Sequence, residues 1–368
     1  MASAENKRNA VVLIRSHKSI SVADRLPANE GRASRVHGLI DAFELDKMVQ
    51  FESPKAASDD ELAMFHSNEY IRAVCYGDAW SDAESDQDSA TSDDDYGLSY
   101  DCAAFDGMAE HVRYAGGGTL CAARALISGR AGVAMHWEGG RHHGRRGRAG
   151  GFCYVNDVVL GIVELQRQFS RVLYVDLDAH HGDAVQDAFE HSALVTTVSV
   201  HHAARGFYPN TGLACVEGKG RGIGHSINIP LRRGASDATF VRAFEGAMAA
   251  VVGRERRLAA GDGVAVVVQC GCDGLAGDPH KVFNLTADAY VTCVQQAVAW
   301  GARCWTRVTA AVCGVEIGGD ADVPEHEFLA EYAPGFDMAT DASAVADENT
   351  GQSVRAVVDA IVAAVGAA

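Results

Sequence analysis

The apolar run Val172-Leu173-Tyr174-Val175 leads directly into Asp176-Leu177-Asp178-Ala179-His180-His181-Gly182-Asp183. A strand covered on both faces carries near-continuous apolar side chains, so this run reads as a buried parallel strand. Strand side chains alternate, which puts Asp176, Asp178 and His180 on one side at its carboxyl end. Ionisable groups placed there are costly unless they are paired. Two carboxylates and an imidazole suit a divalent metal, and zinc matches that donor set best. The alternative is a strand end followed by a polar helix cap.

Two more clusters follow apolar strands. Val133-Ala134-Met135-His136 precedes Trp137-Glu138-Gly139-Gly140-Arg141-His142-His143. Paired histidines in a Gly-rich loop suit a general acid and a general base, against the alternative of a surface pair. The strand Val264 to Cys270 precedes Gly271-Cys272-Asp273-Gly274. Asp273 is a candidate third metal ligand; alone, an Asp before Gly is a turn residue.

Strands at 10–14, 132–136, 171–176, 194–200 and 264–270 alternate with helical patterns at 35–49, 104–129, 154–168, 183–190, 286–300, 302–314 and 352–365. This alternation predicts one α/β domain over residues 1–368 with a mainly parallel sheet. Ligands gather at the carboxyl ends of such strands, where all three clusters lie. Residues 77–96 form an acidic, Ser-rich insertion, read as a surface loop. Ser81, Ser85, Ser89 and Ser92 sit beside acids there, which leaves open acid-directed phosphorylation or a plain solvated loop.

The net charge of −17 argues against binding nucleic acid through its phosphates. The ten cysteines lie in apolar segments without a CxxC pair, which fits reduced thiols in the cytosol or nucleus. The first residues lack a signal-peptide pattern, and no apolar run is long enough to span a membrane.

GGRHH, GGFCYVNDVVLGI, YVDLDAHHGD, GFYPNTG and CDGLAGDP occur in the order and spacing of the zinc-dependent histone deacetylases. The resemblance runs from about residue 10 to about residue 335 and is closest to class I. It implies a three-layer, arginase-like α/β fold, an acyl-lysine tunnel above the metal, and removal of acetyl groups from lysines of histones and other proteins in the nucleus, with the cytoplasm a second location.

By position, the resemblance implies that Asp178, His180 and Asp273 bind one zinc ion. It makes His142, held by Asp176, and His143, held by Asp183, the proton-transfer pair. Gly151, Phe152 and Tyr208 line the tunnel, with Tyr208 standing where Phe is usual. Asp101 on the rim holds the substrate backbone. Asp176, Asp178, His180, Ser199 and Val200 match a structural potassium site. A second monovalent site involves Phe189, Ser192 and Val195, and is less secure because His225 replaces a Tyr. Leu275 stands where two-metal arginases need a further acid, which favours a single metal. Pro279 replaces an Arg, and a basic N-terminal loop is absent, so an inositol phosphate and a corepressor are not expected.

The chain also departs from the family. The helix ending at Trp300 runs through Gly301 into Ala302-Arg303-Cys304-Trp305, where the family has a strand, a glycine run and a Tyr. No GGGY string occurs. The missing Tyr is the family's donor to the oxyanion, and loss of one such donor lowers kcat by roughly 10²–10³. Tyr290 and Tyr332 are not obvious substitutes. Three readings stay open: an error of gene model or splicing, an enzyme of weak activity, or an acetyl-lysine-binding scaffold. Arg141 replaces an apolar residue at the tunnel foot. It reads either as a guide for departing acetate or as a side chain that turns to solvent or pairs with an acid.

Overall fold

The computed structural model describes residues 10–77, 95–259, 263–295, 309–318, 321–329, 338 and 345–367. The acidic stretch at 78–94, the junction around Gly301, and Tyr332 lie outside the described residues. The chain forms two compact units, one from 1–35 and 49–165, the other from 36–48 and 166–368.

In the first unit, strands β1 (Val11–Ile14), β2 (Gln50–Glu52) and β3 (Val133–Met135) form a parallel sheet in the order β2-β1-β3. Helix α1 (His17–Ala23) starts at a capping box, Ser16 with Ser19. Helix α2 (Arg32–Ala42) spans the boundary between the units, and α3 (Asp59–Leu62) repeats the capping box with Ser58 and Glu61. These reciprocal bonds satisfy amide groups that a helix start leaves open. Ser67 caps α4 (Asn68–Tyr76). The long α5 (Met108–Ile127) packs on α6 (Asp157–Leu165), and Leu62, Tyr70, Val112, Leu120, Tyr154 and Leu160 belong to the core around them.

In the second unit, β4 (Arg171–Asp176), β5 (Val195–His202), β6 (Val216–Glu217), β7 (Ser226–Leu231) and β8 (Val264–Gln269) form a sheet in the order β6-β7-β5-β4-β8. Only β6 runs antiparallel. Every residue of β4 is buried, as its apolar run predicts. Helix α7 (Asp183–Phe189) follows β4, and α9 (Ala287–Gln295) and α10 (Gly351–Ala367) pack on α8 (Asp237–Leu258). The fold is α/β with mainly parallel sheets, as expected. Among the described residues β8 is an outer strand, and its Val266 is 46% exposed.

Some local expectations need correction. The helical pattern at 35–49 is not one helix: it runs over α2 from residue 35 to Ala42, then over a 3-10 turn at Leu45–Met48, and stops just before β2. Seven strands and helices were not expected: α1, β2, α3 and α4 in the first unit, and β6, β7 and the 22-residue α8 in the second.

Candidate metal centre and histidine loop

β4 lies between β5 and β8, with Asp176 opposite both Ser199 and Gln269. Three carboxyl ends therefore meet in one line. Asp176 is fully buried; it accepts the Tyr174 hydroxyl at 2.6 Å and the Asp178 amide at 3.1 Å. Those bonds turn the chain out of the strand and fix the residues that follow. The Asp178 carboxylate accepts the His180 amide at 2.8 Å, and the Asp273 carboxylate accepts the Ala179 amide at 2.8 Å. The loops after β4 and β8 are thus tied by the side chains that project from them. Gly271 is required here, because a Cβ at that position would overlap the Asp178 carboxylate.

Ligand atoms of Asp178, His180 and Asp273 lie within 4.8 Å of one another, and no other such group occurs among the described residues. His180 Nδ1 stands 3.1 Å from Asp178 Oδ1 and 2.6 Å from Asp273 Oδ2. Burial opposes a charge on His180, but the hydrogen bonds and charges of the two carboxylates outweigh it and raise its pKa to about 10. Burial and then the charge of Asp178 raise the pKa of Asp273, although His180 opposes them. Two crowded carboxylates call for a cation between them. The two oxygens and one nitrogen fit zinc with a position left over.

Phe207 stacks on the His180 ring at 4.8 Å and 11°. Tyr208 and His280 meet the same ring edge-on, at 6.2 and 5.2 Å. Sequence reasoning found Tyr208 but missed Phe207 and His280. Phe207 lies inside the GFYPNTG string, whereas His280 had no signal of its own.

Ser199 and Val200, in the second half of β5, are buried, and Ser199 Oγ lies 2.9 Å from His201 Nδ1. Near His225, the Arg254 guanidinium donates to the Gly224 carbonyl at 2.7 Å, and its Nη2 lies 3.4 Å from His225 Nδ1. A fixed cation thus already stands beside the residue that weakened the second monovalent site.

In the first unit, His142 and His143 are buried, with ring centroids 3.9 Å apart. Arg141 is also buried, and its Nη2 lies 3.4 Å from the Glu138 carbonyl. It does not turn to solvent, which corrects that half of the alternative and leaves the acetate guide and pairing with an acid. Asp101 is exposed and accepts the Gly151 amide at 3.0 Å. Gly151 and Phe152 both have left-handed backbones, and that turn presents the Phe152 ring 44% exposed. Tyr290 lies in the core of the second unit, edge-on to Phe240.

The nine described cysteines are free. No described helix is long and apolar enough to cross a membrane.

Comparison with known proteins gives a match to the histone deacetylase domain over residues 26–314. Histone deacetylase 8 of Danio rerio is 35% identical, with 97% of this chain and 95% of that protein covered. Histone deacetylase 8 of Xenopus tropicalis is 36% identical over 95% and 96% of the two chains. Human histone deacetylase 1 is 31% identical over 89% of this chain and 68% of its own.

Proposed function

The chain belongs to the histone deacetylase family and is a histone deacetylase hydrolase, and on that premise we propose how its residues divide the work. Asp178, His180 and Asp273 hold one zinc ion. The observation that carries this reading is the convergence of their three ligand atoms at the ends of β4 and β8. When bound, zinc supplies Lewis acidity toward the acetyl carbonyl and water.

The remaining chemistry falls to the chain. One histidine of the pair His142 and His143 takes a proton from water as the water oxygen bonds to the acetyl carbon, and the other gives a proton to the lysine nitrogen as the amide C–N bond breaks. Acetate and the free amine leave. Asp176 and Asp183 serve as their carboxylate partners, fixing tautomer and raising basicity. Phe152, Gly151 and Tyr208 line the path of the acyl-lysine. Asp101 holds the substrate backbone by charge-assisted bonds. Asp176, Asp178, His180, Ser199 and Val200 hold a structural potassium ion. The substrates are acetylated lysines of histone tails or other proteins, and the protein works in the nucleus. It needs neither an inositol phosphate nor a corepressor.

The lack of a GGGY string favours slow turnover, or a scaffold that binds acetyl-lysine. Deacetylation of an acetyl-lysine peptide by the zinc-loaded chain, beside Asp178→Ala, decides between these readings. Turnover that disappears in Asp178→Ala supports the enzyme. No turnover from folded, zinc-loaded protein leaves the scaffold.

A further inference from the structure

Gly139 to Gly144, the loop that carries the histidine pair, is held from both sides by one dipeptide. Asp157, the first residue of α6, accepts the Gly140 amide on Oδ2 at 3.0 Å and the Arg141 amide on Oδ1 at 2.8 Å. The Thr119 hydroxyl donates to the same Oδ2 at 2.5 Å, and Thr119 Oγ1 lies 2.9 Å from His136 Nδ1. On the other side, Asn156 Nδ2 donates to the Gly144 carbonyl at 2.8 Å, while Asn156 Oδ1 accepts the Val159 amide at 3.0 Å. His66 continues the seam. Its Nε2 accepts the Asn156 amide at 3.0 Å, and its Nδ1 lies 3.3 Å from the Arg146 carbonyl.

We propose that Asn156 and Asp157 are positioning residues for proton transfer, gripping the backbone just before and just after His142 and His143.

Three features carry this. The first is burial: Asn156 and Asp157 are essentially inaccessible, so their bonds do not compete with water. The second is charge. Asp157 accepts three donors at the start of a helix, where the dipole also favours an anion. The third is close approach. A Cβ on Gly139 would meet the Asp157 carboxylate, the His136 ring and the Thr119 hydroxyl at 2.5 to 2.8 Å. A Cβ on Gly144 would meet the Val155 backbone at 2.9 Å. The glycines flanking the pair let its loop lie directly on residues 155–157. Imidazoles that exchange protons with water and an amine must be held to a fraction of an ångström, and a seam of directional bonds does that.

The inference rests on the reading of His142 and His143 as the proton-transfer pair. Asp157→Asn keeps the size but turns an amide donor toward one of two N–H groups. Asn156→Asp sets a carboxylate against the Gly144 carbonyl. Thr119→Val is milder, removing one donor from Asp157, and it stands in where the other two fail to fold. For the zinc-loaded protein, we expect Asp157→Asn and Asn156→Asp to lower kcat by about 10²-fold, with KM and zinc content near wild type. Amide exchange in 139–144 should quicken by roughly tenfold or more, while β1 and α5 exchange as before. Thr119→Val should move both readouts the same way by less. The exchange reads out even where turnover is too slow to time. Wild-type exchange and kcat in all the folded variants overturn the proposal, and so does faster exchange throughout the unit, which would mean a merely structural role. His143→Ala separates the two layers. Full activity in it overturns the reading of the pair and the proposal with it; inactivity beside wild-type behaviour of the clamp variants overturns the clamp alone.

Discussion

His180 Nδ1 stands 2.6 Å from Asp273 Oδ2, so a loop after β4 and a loop after β8 meet through one imidazole–carboxylate contact. The two residues are far apart in sequence, and only the parallel pairing of β4 with β8 brings them together. Asp178 reaches the same nitrogen at 3.1 Å. The grouping turns a strand-end motif into a candidate metal centre.

Asp101 accepts the Gly151 amide next to the exposed Phe152. Asp101→Ala should weaken peptide binding and loosen this turn. The expected outcome is a raised KM with little change in kcat, because a contact made equally in ground and transition states acts on binding. Steady-state kinetics on an acetyl-lysine peptide checks it.

Glu255 is buried between two guanidiniums. Arg171 Nε lies 2.6 Å from it and Arg254 Nε 3.1 Å, and Thr196 donates to it at 2.8 Å. Glu255→Ala leaves two buried cations without their carboxylate. Breaking a buried pair this way costs about 3–5 kcal/mol. Urea denaturation at neutral pH should show that loss, while a conservative exposed change such as Lys47→Arg should leave stability nearly unchanged.

Two buried histidines of the first unit set an acid limit. Burial lowers the pKa of His66 to about 4 and of His111 to about 3. Both are therefore neutral when folded, whereas an unfolded histidine titrates near 6.5. The unfolded chain takes up the extra protons between these values, so stability falls as pH drops below about 6.5. At pH 5 each contributes a loss of about 2 kcal/mol relative to neutral pH. Urea melts at pH 7.5 and pH 5 should show a shallower acid loss in His111→Phe than in wild type.

Much of the site could be read from the chain because its chemistry interrupts apolar strands. Asp176, Asp178, His180 and Asp273 follow valine-rich runs, and a buried strand cannot end in acids without a reason. α8 was harder. Its apolar face, Phe240, Ala243, Phe244, Ala247, Met248 and Val251, has helical spacing, but Arg254 and Glu255 look like surface charges until Arg171 pairs with them. β7 was hidden by Asn228 and Pro230, since proline argues against a strand flanked on both sides. Asn228 is tolerated because its amide bonds Gln186 Oε1 and the Ala214 carbonyl, partners that no local pattern reveals. Phe207 and His280 were missed for the same reason: their value lies in where the chain returns to His180.

The most direct test of the account is the metal content of the purified chain, measured by inductively coupled plasma mass spectrometry alongside Asp178→Ala and Asp273→Ala. The account predicts one zinc per wild-type chain and its loss from both folded variants, since each removes one of the three proposed ligands that converge among the described residues. Zinc retained by the folded variants, or two metal ions per wild-type chain, would contradict it.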